Sequence, residues 1–403
     1  MYWYRKAALQ RESVAIYNIG YCYEDGLGVE KNEGEAVRWY QESAELGNAF
    51  AQNSLGYCYE DGIGVQADPQ RAVYWYRLSA KQGYPWAQCN LGYCYQNGIG
   101  VLAAQPRKAA KWYCRAAIQG HARAQHNYGY CLQNGIGVEK DDQEAIQWYR
   151  RSAEQKNAFA YHSLGYCYQH GLGVDKDLQE AVKWYKLSAE AGHGPAQLSL
   201  GYCYRNGVGA ERDYKKAFFW FEKCAAQNNP LAQNSLGYCY EEGIGTEKNY
   251  EKAVFWYRSA AELGNSWAMC NLGFCYQEAI GVERELDAAF YWYKKAAKGK
   301  DPSPRAMGRL AAMYEQGIAC EKNLEKAFHW YLTGAIHGDA RNMLHVARCL
   351  ESGAGTSRNI PEAIRWLQRA ASRNIVEAAE RLKQLVLQEN QYELFDYHNA
   401  PAA

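Results

Sequence analysis

Tryptophan recurs along this chain at a nearly fixed interval: Trp3, Trp39, Trp75, Trp112, Trp148, Trp184, Trp220, Trp256, Trp292, Trp330 and Trp366. Successive gaps are 36 residues, apart from one of 37 and one of 38. A glycine column keeps the same interval through Gly20, Gly56, Gly92, Gly129, Gly165, Gly201, Gly237 and Gly273, then passes to Ala311 and Ala347. A fixed period between about 20 and 50 residues constrains the fold strongly, because each repeat is too small to bury its apolar face except against its neighbours. A one-dimensional array therefore replaces the two or three compact domains that 403 residues would otherwise imply.

The stretch from Asn48 to Gly83 serves as the type repeat. Ala51, Leu55, Cys58 and Tyr59 follow helical i, i+3, i+4 spacing and predict a first helix over 49–60. Gly56 beside Leu55 lets a second helix approach closely. Gly62-Ile63-Gly64-Val65 ends the first helix, since glycine accepts the positive φ of a left-handed cap and tight turn. Asp68-Pro69 reads as an N-cap followed by proline at the first helical position. Ala72, Trp75, Tyr76 and Ala80 form the apolar stripe of the second helix, with Trp75 and Tyr76 expected to supply much of the burial. Gly83 stops that helix. The Gly-x-Gly segments are not phosphate loops, because a helix rather than a strand precedes them.

These residues resemble the Sel-one-like repeat, a relative of the tetratricopeptide repeat. The family pattern A-x-x-x-L-G-x-x-Y-x-x-G-x-G-V, then A-x-x-W-Y-x-x-A-A-x-x-G, appears here as Leu55, Gly56, Tyr59, Gly62, Gly64, Val65, Ala72, Trp75, Tyr76 and Ala80. The resemblance covers about residues 1–385 and implies an all-α fold, a right-handed α-α superhelix of about ten helix-turn-helix repeats. Residues 1–388 are assigned to the solenoid and 389–403, which lack the pattern, to a disordered tail. The extra residues of the 38-residue gap fall around 298–304 (KGKDPSP), where a bend or seam is expected. Met1-Tyr2-Trp3-Tyr4 aligns with the middle of a second helix, so the chain reads as starting mid-repeat, as a fragment of a longer protein would.

Lys plus Arg is 45 and Asp plus Glu is 44, a balance that argues against a nucleic-acid binder. No apolar run approaches the ~18 residues needed to span a bilayer, and the first residues do not form a secretory signal. Nine of the 14 cysteines occupy one column, from Cys22, Cys58 and Cys94 to Cys349. Equivalent positions in stacked helical layers lie about 10 Å apart, beyond the ~7 Å Cα limit of a disulfide. They read as small apolar core residues in a reducing, cytoplasmic setting. The cysteine-rich bacterial relatives carry paired cysteines at positions corresponding to Ala80 and Gln88, and this chain has none there. His126 and His162 sit in equivalent places of adjacent repeats, too far apart for one coordination sphere, so neither a metal nor another cofactor is expected. No Cys–His or Ser–His–Asp set stands out, and a non-catalytic protein is expected.

Helical geometry points instead to a binding surface. If Leu55 and Tyr59 face the core, Tyr57 points about 160–200° away, towards the inner face of the superhelix. Its column reads Tyr21, Tyr57, Tyr93, Tyr130, Tyr166, Tyr202, Tyr238 and Phe274, then Ala312 and Arg348. The Glu60 column includes Gln96, Gln133 and Gln169; a more variable column includes Asn53, His126 and His162. In tetratricopeptide relatives, positions equivalent to the tyrosines line a concave peptide groove. The expectation is an adaptor or scaffold that lays a protein or peptide partner, neutral to basic in charge, along this face. The alternative is the repeat arm of a larger signalling enzyme, such as a kinase, with its catalytic part outside this chain.

Overall fold

The computed structural model describes the backbone of residues 1–399 and the side chains of residues 1–387. Among the described residues there are 22 helices and no strands, arranged as an all-α repeat solenoid of about 36-residue helix pairs. A short helix α1 (Tyr2–Ala8) precedes the pairs. The first helices are α2 (Ser13–Asp25), α4 (Ala49–Asp61), α6 (Pro85–Asn97), α8 (Ala122–Asn134), α10 (Ala158–His170) and α12 (Gly194–Asn206). They continue as α14 (Pro230–Glu242), α16 (Ser266–Glu278), α18 (Pro304–Gln316) and α20 (Ala340–Ser352). The second helices are α3 (Glu33–Glu45), α5 (Pro69–Lys81), α7 (Pro106–Ile118), α9 (Asp142–Glu154) and α11 (Leu178–Glu190). They continue as α13 (Tyr214–Ala225), α15 (Tyr250–Glu262), α17 (Leu286–Lys298), α19 (Leu324–Ile336) and α21 (Ile360–Ala371).

A final helix, α22 (Val376–Asn399), runs past residue 388; the side chains of the expected tail at 389–403 lie outside the described residues, as do residues 400–403 altogether. The chain forms two units: Met1–Cys203 with Gly207–Glu211, and Tyr204–Asn206 with Arg212–Ala403. The 298–304 interruption lies inside the second unit. There Ser303 donates its N–H to the Ala296 carbonyl at 3.0 Å, and its hydroxyl oxygen accepts from the Ala306 N–H.

Seven of the ten helix pairs close on the same contact. A Cβ added to Gly56 would lie 2.7 Å from the Tyr76 ring, so the bare glycine is what lets the ring lie against the first helix. The same pairing joins Gly20 to Tyr40, Gly92 to Tyr113, Gly129 to Tyr149, Gly165 to Tyr185, Gly237 to Tyr257 and Gly273 to Tyr293. All of these tyrosines are buried, each contributing ~1.5–3 kcal/mol of apolar burial. Their hydroxyls are also satisfied, as a buried polar group requires. Tyr76, Tyr113, Tyr149, Tyr185, Tyr293 and Tyr331 donate at 2.6–3.0 Å to Glu60, Gln96, Gln133, Gln169, Gln277 and Glu315. The tryptophans take a smaller share of the burial than their regularity suggests. Trp75 is only half-buried, because one step along a helix turns a side chain by about 100°.

The ends of the helices follow local chemistry. Asp68 accepts from the N–H groups of Gln70 and Arg71, and Asn48 from that of Ala51. Gly62 closes the first helix at φ +74°, and Gly64 follows at φ +65°, where an added Cβ would overlap the Glu33 carbonyl of the preceding repeat. Ala279 and Ala319 hold the corresponding positive φ without a glycine.

The seam of α18, α19 and α20 is repacked by three linked substitutions. In four earlier repeats a serine of the second helix (Ser43, Ser79, Ser152 or Ser188) donates to the first residue of the first helix, as Ser79 Oγ does to the Ala49 carbonyl at 2.7 Å. The corresponding residue is Gly334. Asn342, in a column otherwise held by alanine, reaches back and donates Nδ2 to the Pro304 carbonyl at 2.8 Å. A Cβ at Gly308 or Gly334 would lie 2.2 or 2.1 Å from the Asn342 amide, so both glycines make room for it. Asn342→Ala is expected to lower stability by about 1–3 kcal/mol by leaving a part-buried carbonyl without its donor. Gly334→Ser alone is expected to destabilise by steric conflict. Added to Asn342→Ala, it should regain part of the loss. A thermal-melt double-mutant cycle reads this directly, and additive effects would contradict the linkage.

Candidate partner-binding face

The residues two places beyond the Leu55 position of each first helix are turned towards solvent. In the first unit Tyr57, Tyr93, Tyr130 and Tyr166 are 45%, 38%, 43% and 45% exposed, and Tyr202 is half-buried. In the second unit Tyr238 is 40% exposed and Phe274 half-buried. Local chemistry already occupies some of these rings. A hydrogen bond to the Asp61 carboxylate raises the Tyr57 phenol pKa, and Asp25 does the same to Tyr21. Arg123 lies over the Tyr93 ring at 5.6 Å, and His170 packs on Tyr166 at 4.3 Å between ring centroids. The hydroxyls of Tyr93, Tyr130 and Tyr166 meet no hydrogen-bond partner among the described residues.

The amide column serves the fold as well as the surface. Gln96, Gln133 and Gln169 each give their carbonyl oxygen to a buried tyrosine hydroxyl, and Gln133 Nε2 also approaches Cys167 Sγ at 3.1 Å. Asn53 accepts from Asn90 Nδ2 at 3.2 Å, one repeat further on. His126 Nε2 meets Ser163 Oγ at 3.1 Å and His162 Nε2 meets Ser199 Oγ at 3.5 Å, so the variable column forms lateral links between successive first helices. These links were not legible in the spacing, because each joins one column to the next column along, one repeat away.

Four of the expected residues converge. Tyr130, Gln133, His162 and Tyr166 line an open cleft of about 430 Å³ between α8 and α10, together with Ser163 and Lys140. The last two were not anticipated. Ser163 belongs to the neighbouring column that bonds the histidines, and Lys140 comes from the loop before α9. The cleft is mixed aromatic and polar, suited to backbone and side-chain amides as well as to apolar groups. It does not bring together Tyr57, Tyr93, Asn53 or Gln96, which lie on earlier repeats. Tyr202 lies on a later repeat, and Tyr238 belongs to the second unit.

The buried groups around it are held neutral. Burial pushes the Cys167 thiol of α10 up to about 12 and Cys131 of α8 to about 11, where the reactive thiolate is scarce. Among the described residues no three His, Cys, Asp or Glu side chains are grouped to hold a metal ion. Burial lowers His126 and His162 to about 4, with the nearby His193 acting in the same direction, and His121 is likewise lowered to about 4. Since the folded pKa lies below the unfolded value of about 6.5, neutral imidazole is the stabilising form. Its contribution is complete above that value and is lost as pH falls through 4. The melting temperature is therefore expected to decline from pH 6.5 to pH 4. A His126→Asn, His162→Asn variant, which installs the residue found at Asn53 and Asn234, should flatten the decline. An unchanged pH profile would count against this role.

With that geometry in place, the comparisons with known proteins are consistent. The family model of the Sel1 repeat matches residues 1–11, 13–48, 49–84, 87–121, 122–157, 158–193, 194–229, 230–265, 268–301, 304–339 and 343–375. A crystal structure of a protective antigen from uropathogenic Escherichia coli, displaying an SLR fold, is 32% identical. It aligns over 96% of this chain and 83% of its own, with a TM-score of 0.75. A Sel1 repeat protein from Oxalobacter formigenes is 38% identical over 61% of this chain and 96% of its own, with a TM-score of 0.56. No curated protein matches the chain.

Proposed function

The chain belongs to the Sel1 repeat family, and on that premise we propose that it is a non-catalytic adaptor or scaffold that holds a protein partner on the tyrosine-bearing face of its first unit. The observation that carries this reading is the exposure of Tyr93, Tyr130 and Tyr166 on an otherwise tightly packed repeat. Aromatic rings with an outward hydroxyl give large contact area at small entropic cost, and they favour protein interfaces. An extended segment or helix laid against α6, α8 and α10 would meet a ring in each repeat. The cleft between Tyr130 and Tyr166 would take one of its side chains, and variable neighbours such as Phe159 and Trp86 would select among partners.

The face offers the carboxylates of Asp25 and Asp61 beside Tyr21 and Tyr57, which favours a neutral or basic segment over an acidic one. The described residues contain no helix long and apolar enough to cross a membrane. The column of buried, protonated thiols suits a reducing compartment such as the cytoplasm.

The test is affinity capture from source-cell extract with the full chain and a Tyr93→Ala, Tyr130→Ala, Tyr166→Ala variant, quantified by mass spectrometry. The variant is expected to melt within a few degrees of the parent while losing its specific partners by tenfold or more. An unchanged partner set from a folded variant would overturn the assignment. A collapsed melt would show that the ladder belongs to the core.

A further inference from the structure

The second unit has a recess of a different chemistry. Arg305 and Arg309 stand four residues apart on α18, hence on one side of that helix, and Arg341 occupies the position of Arg305 one repeat later, on α20. The three guanidinium groups share a cleft of about 260 Å³ with Asp339 and His345. The cleft is open because the side chains that fill this face elsewhere are missing. Ala312 stands in the tyrosine column and Gly308 in the column of Asn53 and His126. Gly308 is required to be small by the Asn342 amide; the seam makes no such demand on Ala312.

The charge in this cleft is not spent internally. The neighbouring arginines are paired, Arg348 with Glu377 and Arg381 with Glu351. Among the described residues Arg305, Arg309 and Arg341 make no ion pair. Three arginines against Asp339 leave a lining charge of 3 − 1 = +2. Asp339 already uses Oδ1 to cap the Asn342 N–H at 2.8 Å. His345 stacks on Tyr331 at 4.5 Å, and burial together with Arg348 keeps it neutral. Arg309 is held in place by stacking over Phe274, 4.8 Å from its ring centroid, which leaves the in-plane N–H donors at its edge available.

We propose that this cleft binds an acidic peptide segment, an extended stretch whose Asp or Glu side chains are taken by Arg305, Arg309 and Arg341. Guanidinium forks pair with carboxylates through two parallel hydrogen bonds. The arrangement favours several carboxylates over one compact anion. Arg305 and Arg309 rise from α18 and Arg341 from α20, and packed helix axes lie about 8–10 Å apart, so the guanidinium groups start from separate anchors and can each take a carboxylate. Alternate side chains of an extended chain lie on one face roughly 7 Å apart and fit that separation. The site is independent of the tyrosine face on the first unit, and either can fail alone.

The test uses the full chain and fluorescence anisotropy with a labelled peptide of alternating Glu and Ser, beside its Gln–Ser and phosphoserine–Gln counterparts. The Glu peptide is expected to bind and to weaken as salt is raised. It should bind at least tenfold more weakly to Arg305→Gln, Arg341→Gln, a variant whose melting temperature stays near the parent's. Tyr130→Ala, Tyr166→Ala should leave that affinity unchanged. Equal binding of the Gln peptide, no loss in the arginine variant, or no binding at millimolar protein would overturn the proposal. Tighter binding of the phosphoserine peptide by tenfold or more would also overturn it, reassigning the cleft to phosphopeptides.

Discussion

A tyrosine ring resting on a bare glycine holds seven of the ten helix pairs at their spacing, and the rest of the repeat is arranged around that contact. The ring fills the seam and its hydroxyl must still find an acceptor in a dry place. The chain meets this demand by holding Glu or Gln at one position of the first helix, either of which offers an oxygen. The two exceptions follow the same rule. Arg205 cannot accept, and the buried aromatic of its repeat is Phe221, which has no hydroxyl to satisfy. Glu351 stands in the repeat where Leu367 replaces the tyrosine, and its freed carboxylate pairs with Arg381 of α22 instead. Donor and acceptor thus change together within one chain.

That rule divides the exposed face into what the fold needs and what it leaves free. Gln96, Gln133 and Gln169 stand at the edge of the surface but accept the hydroxyls of the seam. Asn53, His126 and His162 tie one first helix to the next. A partner could use their remaining donors only while these bonds stay in place. The exposed tyrosines carry no comparable duty to the seam, so they are where a partner can be accommodated with little structural cost.

Much of this architecture was legible in the residues because its causes are local. Asp68 before Pro69 caps a helix, Gly62 and Gly64 take positive φ, and the period of 36 makes each observation repeat. The tryptophan ruler located the second helices but not the residue that closes them. Adjacent columns share one period, and the phase that buries Tyr76 and leaves Trp75 at the margin depends on the helix opposite. Non-local compensation was less legible still. Asn342, Gly308 and Gly334 look like drift until the amide is seen bridging to Pro304. Arg305, Arg309 and Arg341 are scattered over two columns and converge only when α18 and α20 stack.

The chain contains its own control for whether the tyrosine column is core or surface. At Ala312 and Arg348 the aromatic is gone, yet the flanking Leu310 and Val346 are fully buried and both first helices keep their pairs. A residue that the seam needed could not be exchanged for alanine in one repeat and arginine in the next without disturbing the leucine position two residues away. The Gly56 column behaves in the opposite way: its only replacements are Ala311, in the repeat of Tyr331, and Ala347, in the repeat where Leu367 replaces the tyrosine, each one methyl larger. Tolerance at one column and restriction at the other, on the same turn of the same helix, separate surface from frame. This contrast supports assigning the tyrosines to recognition and the glycines to assembly.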